Sequence, residues 1–305
     1  MRLANLVLPT VLAFAAASAA SAADLPARLP PPPPPAPLPV FTWTGAYIGV
    51  NAGYVDGLTR FDNTTGFLAN NNASLATGIR TSRHTVDDDG FTAGGQIGYN
   101  YQLGNLGGPG FGGLGFGGSG AGIVVGVEAD AAYTDLDRTD TLSNTSNFGA
   151  LVTPGAPATT RVDQYRGSLD FLGTVRGRIG FAFDRLLIYG TGGFAYGDVN
   201  RRTTYYGPNA NTTPFFQGSN NGLKTGYAYG GGIEYALPAN SFLSFLNFFH
   251  SSAVTIKAEY IHYDLGSDRL TFPAVGAAAT LGLGGYSERV RTEGDIARAG
   301  INYKF

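Results

Sequence analysis

Apolar side chains recur at every second position in eight segments spread between residue 44 and residue 305. In 44–54 they are Ala46, Ile48, Val50, Ala52 and Tyr54, with Gly45, Tyr47, Gly49, Asn51 and Gly53 between them. In 90–102, Phe91, Ala93, Ile97, Tyr99 and Tyr101 alternate with Thr92, Gln96, Asn100 and Gln102. In 122–134, Ile123, Val125, Val127, Ala129, Ala131 and Tyr133 alternate with Glu128 and Asp130. Segment 168–183 sets Leu169, Phe171, Val175, Ile179, Phe181 and Phe183 against Asp170, Thr174, Arg176 and Arg178, while glycines blur the pattern in 186–197. Segment 225–237 opposes Tyr227, Tyr229, Ile233 and Tyr235 to Glu234, and 253–264 opposes Val254, Ile256, Ala258 and Tyr260 to Lys257 and Glu259. The last, 294–305, opposes Ala297, Ala299, Ile301, Tyr303 and Phe305 to Arg298, Asn302 and Lys304. A period of two marks strands with unlike faces, because successive Cβ atoms leave a pleated chain on opposite sides.

Strands of this length, with aromatic residues toward the ends of the apolar face, match a membrane-spanning β-barrel. Periodicity alone does not say which face is inside, since a soluble lipocalin-type barrel turns its apolar face inward. The charges decide. The less apolar face carries Glu128, Asp130, Asp170, Glu234 and Glu259 against Arg176, Arg178, Lys257, Arg298 and Lys304, five of each sign. A balanced set suits a narrow lumen, where buried charge is tolerated only when paired. The expected fold over 41–305 is all-β: an eight-stranded antiparallel up-and-down transmembrane β-barrel with a charge-filled lumen. Stretches 55–89, 135–167, 198–224 and 265–293 read as four long external loops, and Asp184-Arg185 as a two-residue turn. The Gly-rich insertion 103–121 reads as a flexible loop. The insertion 238–252, with Phe and Leu at 242, 243, 245, 246, 248 and 249, reads as a short interfacial helix.

Composition narrows the class. Charged residues are only 14% of the chain and Gly numbers 46, unlike a helical cytosolic enzyme. With 20 basic and 22 acidic residues, nothing points to nucleic acid. The absence of Cys removes disulfides, thiol catalysis and Cys-ligated metals. Arg2, the apolar run from Leu3 to Ala20 and the small residues Ser21, Ala22 and Ala23 have the pattern of a secretory signal peptide, expected to be cleaved from 1–23. Residues 24–40 form a Pro-rich segment, read as a semi-rigid periplasmic linker.

Candidate chemistry is sparse. His84, His250 and His262 fall in separate segments, which disfavours a His-ligated metal. His262 and Asp264 lie two apart near the outer end of the seventh segment, with no convincing Ser nucleophile, so no enzyme activity and no cofactor are expected. The run Asp87-Asp88-Asp89 stands at the expected outer rim, where carboxylates can share the divalent cations that bridge lipopolysaccharide phosphates. Gly-rich strings such as GFGGLGFGG lack the strand–loop–helix context and the Lys-Ser/Thr ending of a phosphate loop. In a barrel this narrow the paired charges fill the interior. Two readings follow for them, a salt-bridged plug or a selective conduit.

Several segments resemble the small outer-membrane β-barrel proteins of alphaproteobacteria, often labelled "porin family": AADLP after the signal, FTWTGAYIGVNAGY, GGQIGYNYQ, VVGVEAD, VRGRIGFAFDRLLIYGTGGFAYG, YGGGIEYAL, KAEYIHYDLG and RAGINYKF. The resemblance implies an eight-stranded barrel similar to the membrane domain of OmpA, located in the bacterial outer membrane. It also implies roles in envelope integrity, with adhesion, immune contact or haem binding as variable roles of relatives. Ala299, Ile301, Tyr303 and Phe305 resemble the terminal signal read by the barrel-insertion machinery; physically, an unclosed apolar edge strand must be captured before it aggregates. The expected partners are therefore outer-membrane lipid and lipopolysaccharide, the insertion machinery and periplasmic chaperones, with peptidoglycan-associated and host surface ligands as further candidates. Three functions stay open: a structural barrel displaying four loops, a low-conductance porin, and a surface adhesin or ligand-binding protein.

Overall fold

The computed structural model describes residues 41–68, 83–103, 121–146, 157–207, 213–238, 244–247, 249 and 251–305. The signal and linker segments, and all but the ends of the Gly-rich insertion, lie outside these residues. Eight antiparallel strands follow one another around a closed barrel: β1 (Gly45–Leu68), β2 (Arg83–Leu103), β3 (Gly122–Ser146), β4 (Thr159–Phe183), β5 (Leu186–Tyr206), β6 (Pro214–Ala236), β7 (Ala253–Pro273) and β8 (Leu283–Lys304). β8 pairs with both β7 and β1, so no strand is left with an open edge. Closure matters in lipid, where an unpaired backbone group has no water to bond.

The apolar face of the lower strands points outward. Ile48, Val50, Ile97, Val127, Val175, Ile179, Ile188 and Ile233 are exposed, and Tyr47, Gln96, Glu128 and Arg176, on the alternate positions, are buried. Aromatic side chains bound this band. Tyr54, Phe91, Tyr133, Phe194, Tyr227 and Tyr260 stand at its upper limit, and Tyr101, Phe183, Tyr235 and Phe305 at its lower. On β2, Phe91 and Tyr101 bracket the band; ten residues at about 3.4 Å each, tilted by about 40°, span about 26 Å of height. That is the thickness of the apolar belt of an outer-membrane barrel, about 25 Å.

The strands do not stop at the belt. They run 21 to 25 residues, about twice the expected length, and most of 55–68, 83–89, 135–146, 159–167, 198–206, 214–224, 265–273 and 283–293 is strand rather than loop. Above the bilayer the outer wall meets water, so polar residues face out and Phe61, Val86, Tyr165, Leu270, Phe272 and Val290 face in. The alternation persists with its faces exchanged. Two β-bulges help to make that exchange, at Leu169/Phe171 on β4 and at Asp264/Ser267 on β7. An extra residue in one strand shifts the side chains beyond it to the opposite face.

The connections at the periplasmic end include the two-residue turn Asp184–Arg185, with Asp184 at φ 54°. Of the apolar insertion 238–252, the described part holds one 3-10 turn, Ser244–Leu246, and Phe249 packs edge-on against Tyr303 at 4.9 Å. At the outer end a four-residue helix, α1 (Ala277–Thr280), links β7 to β8 and buries Ala278.

The interior is filled in layers. Trp43, Val124, Ala182, Leu187, Tyr189 and Ala236 close the periplasmic end, where the Trp43 indole donates to the Asp184 carbonyl at 2.9 Å. A second apolar layer, including Val55, Leu136, Leu169, Leu172, Val199, Ile261 and Ile296, lies near the level of the upper girdle. A third, including Phe61, Tyr165, Tyr205, Phe216, Phe272 and Tyr286, fills the barrel above the membrane. Polar layers separate them.

Candidate functional site

Among the described residues, the polar layer inside the membrane belt is the densest cluster of charged side chains. β3 supplies Glu128 and Asp130, β4 Arg176 and Arg178, β6 Glu234, β7 Lys257 and Glu259, and β8 Arg298; all eight side chains are buried. Each sits on the face opposite the lipid-facing residues of its own strand, so the period of two alone delivers them to the lumen. Register then decides who meets whom. Glu128 lies directly across from Arg176, Glu234 from Lys257, and Glu259 from Arg298.

Arg176 is the hub. Its guanidinium donates to Glu128 at 2.8 Å, to Glu259 at 2.9 Å, to Asp130 at 3.1 Å and to the Thr174 hydroxyl at 2.8 Å. Arg298 bridges Asp130 at 2.9 Å and Glu259 at 2.8 Å. Lys257 donates to both oxygens of Glu128 at 2.9 Å. Arg178 donates to Glu234 at 3.1 Å and to the Tyr47 hydroxyl at 3.1 Å, and lies 3.8 Å from the centre of the Tyr189 ring. Tyr47 in turn donates to Glu128 at 2.7 Å, and Tyr189 to Glu259 at 3.2 Å. Asn302 and Thr255 donate to the remaining oxygen of Glu234. Four carboxylates face four cations, and every one has at least one charged partner.

Two residues expected in this network are elsewhere. Asp170 is the extra residue of the β4 bulge; it is exposed on the outer wall, where Asn200 donates to it at 3.4 Å. The same bulge turns Leu169, expected to face lipid, into the interior, where it is 1% exposed. Lys304 lies at the periplasmic end, its ammonium 5.8 Å from the centre of the Phe41 ring rather than among the carboxylates. One charge of each sign leaves the set, so the lumen balance stays at zero.

The other candidates separate. Asp87, Asp88 and Asp89 lie within β2, so alternation sends Asp87 and Asp89 to the outer wall and Asp88 to the other face. Among the described residues no group of three or more potential metal ligands is gathered. His262 pairs with Asp295 at 2.9 Å and not with Asp264, which accepts from Arg291. His84 meets Asp140 at 3.2 Å. His250 lies outside the described residues. The outward positions of Ala299 and Ile301 on β8 alternate with the buried Arg298 and Asn302, and Phe305 is exposed.

Sequence reasoning singled out the charges but not the tyrosines that orient them. Tyr47 and Tyr189 bear on this lumen network as directly as any carboxylate. The signal for Tyr47 was its position on the glycine-rich face of β1. A Cβ on Gly98 would stand 2.3 Å from the Tyr47 hydroxyl, and one on Gly232 would stand 2.7 Å from that of Tyr189. Glycines on the lumen face thus leave room for large polar side chains on neighbouring strands.

No family model matches the chain. It is 28% identical over 302 residues to the 31 kDa outer-membrane immunogenic proteins of Brucella melitensis and Brucella suis, covering 99% of this chain and 99% of each of them. Among solved structures, the outer membrane protein OprG from Pseudomonas aeruginosa aligns over 87% of this chain and 97% of its own, with 13% identity and a TM-score of 0.37. The outer membrane protease OmpT from Escherichia coli aligns over 86% of this chain and 97% of its own, with 9% identity and a TM-score of 0.37. With a closed eight-stranded barrel, an outward apolar belt and full-length similarity to the Brucella proteins, the chain is an outer-membrane β-barrel similar to these alphaproteobacterial outer-membrane proteins.

Proposed function

We propose that this barrel is a structural, non-conducting element of the outer membrane that carries an extended extracellular stem and its connecting loops. The observation that supports this reading is the filled lumen: Arg176 is held by Glu128, Asp130 and Glu259 at once, with apolar layers above and below it. An ion passing this point must break charge pairs that are out of reach of water, and an uncompensated buried charge costs about 3–5 kcal/mol. The Brucella relatives carry the word immunogenic in their name, which accords with surface display by this chain. In the same reading, Ala299, Ile301, Tyr303 and Phe305 on the closing strand serve the insertion machinery as its handle. Single-channel conductance of the refolded chain in planar bilayers tests the proposal. Silence or rare small openings are expected from the parent, and larger openings from Arg176→Ser with Arg178→Ser. A steady, large conductance from the parent refutes the closed lumen and favours the porin reading.

A further inference from the structure

The outer wall above the membrane has a banded charge pattern. Across β7, β8, β1 and β2, the row that includes Tyr260, Ala297, Tyr54 and Phe91 is followed by one of His262, Asp295, Asp56 and Asp89. Next come Asp264, Glu293, Leu58 and Asp87, then Ser267, Arg291, Arg60 and Thr85, and then Arg269, Arg289, Asp62 and Arg83. Carboxylates thus hold the two rows nearest the membrane. In the two rows above, five arginines stand against the single carboxylate Asp62.

Within the basic band, arginines face each other directly. Arg60 is opposite Arg291, and Arg269 is opposite Arg289. Like charges in directly opposed strand positions destabilise a sheet. The lower pair is relieved from below, because Arg291 binds Asp264 and Glu293 and Arg60 reaches Glu293 at 3.5 Å. Arg83 binds Asp62 at 2.6 Å. Arg269 and Arg289 are both exposed, and neither makes a hydrogen bond or ion pair among the described residues. They lie four residues above Glu293, about 13 Å along the strand. That exceeds the Debye length of about 8 Å at physiological ionic strength, so the acidic band does little to neutralise them, and Asp62, directly across from Arg289, is taken up by Arg83.

We propose that Arg269 and Arg289 bind the anionic saccharide portion of a glycolipid in the outer leaflet. Three points of geometry carry this. The site faces sideways from the barrel wall, toward neighbouring lipid molecules rather than up into the medium. Arg289 stands eight residues above Ala297 of the girdle row, about 20 Å in height at a tilt of about 40°. That is the level of a headgroup's saccharide chain and not of its acyl linkage. Two adjacent guanidinium groups present paired donors matched to phosphate or carboxylate oxygens, which they bind in bidentate fashion. An anion between them converts the repulsive pair into a clamp. The proposal does not depend on whether the lumen conducts.

Native mass spectrometry of the full chain in detergent tests this with three probes: lipopolysaccharide with a phosphorylated core, the same molecule after removal of its phosphates, and the oligosaccharide released from its lipid. The parent binds the first most tightly. Arg269→Ser with Arg289→Ser weakens that binding by about tenfold or more, a loss of about 1.4 kcal/mol. Arg269→Lys with Arg289→Lys retains part of it, and Arg138→Ser, an equal change in exposed charge per site on β3, leaves it within about twofold. Heat-modifiable gel mobility confirms that each variant is folded. Unchanged affinity in the double serine variant overturns the proposal, as does equal binding of the dephosphorylated molecule or equal weakening by Arg138→Ser. Equal binding of the released oligosaccharide overturns the membrane glycolipid as the source and assigns the site to a soluble saccharide.

Discussion

Gly98 and Gly95 show how finely each lower-barrel position is set by the face it occupies. They lie on β2, three residues apart, and so face opposite sides. A Cβ on Gly98 meets the Tyr47 hydroxyl at 2.3 Å and the Val127 carbonyl at 2.7 Å, whereas one on Gly95 meets nothing nearer than the Gly49 carbonyl at 3.7 Å. Gly98→Ala is expected to push Tyr47 away from Glu128 and Arg178 and to destabilise the barrel by about 1–3 kcal/mol, the usual cost of overpacking. Gly95→Ala adds a methyl group to the lipid face and changes stability by no more than about 0.5 kcal/mol. Urea titrations followed by heat-modifiable mobility separate the two; equal midpoints exclude steric exclusion by Tyr47. Among the charges, Glu128 is the more demanding test. Glu128→Ala removes the partner of Lys257, Arg176 and Tyr47 together. It is expected to cost about 3–5 kcal/mol, because it strips Lys257 of both its hydrogen bonds and leaves four buried cations against three carboxylates.

At the scale of elements, the lower half of each strand was legible because lipid demands an uninterrupted apolar face, and alternation reads that demand directly. The upper halves were misread as loops for a definable reason. Above the belt the outer face is polar, as on β1 at Asp56, Arg60 and Asp62, so a search for continuing outward apolar positions ends at Tyr54. The inward apolar residues Val55, Phe61 and Val86 carried the signal on the other parity. On β4 the bulge compounded this, since a single inserted residue makes Leu169 and Asp170 exchange sides while each still fits an alternating pattern. Eight of the ten charges assigned to the lumen are there, and the two exceptions lie where parity or strand end intervenes. Because the chain has no native cysteine, single-cysteine labelling tests the parity switch cleanly. Asp170→Cys is expected to react with an impermeant maleimide on intact cells, and Leu169→Cys to stay protected. The reverse labelling pattern would place the bulge elsewhere.

The molecule as a whole is two stacked interiors in one continuous wall, and they need not respond alike to conditions. In the membrane belt each buried carboxylate has a cation. In the stem, Arg201 binds Asp268 at 3.0 Å, while Glu288 accepts from the hydroxyls of Thr203 at 2.5 Å, Thr64 at 3.4 Å and Tyr205 at 3.5 Å. Glu288 lies well above the belt, nine residues from Ala297, and is 1% exposed. Burial pushes its carboxyl up from the usual 4.5 to about 7, and the neighbouring Asp163 acts in the same direction, against the three hydroxyl donors. The folded stem therefore holds this proton more tightly than the unfolded chain does. Its stability rises as pH falls from about 7 to about 4.5, by at most about 3 kcal/mol, and that gain is lost again as pH rises through the folded value. Hydrogen exchange of the stem strands, corrected for the intrinsic rate, should show stronger protection at pH 5 than at pH 8 around Thr203 and Tyr205. Glu288→Gln is expected to flatten this difference by stabilising the stem at pH 8, with little effect at pH 5. A pH difference that survives the substitution assigns the effect to other groups, and the absence of one in the parent rules out a neutral-pH proton at Glu288. The belt, with its carboxylates held by Arg176, Lys257 and Arg298, should keep its protection across the same range, so the pH dependence is expected in the stem alone.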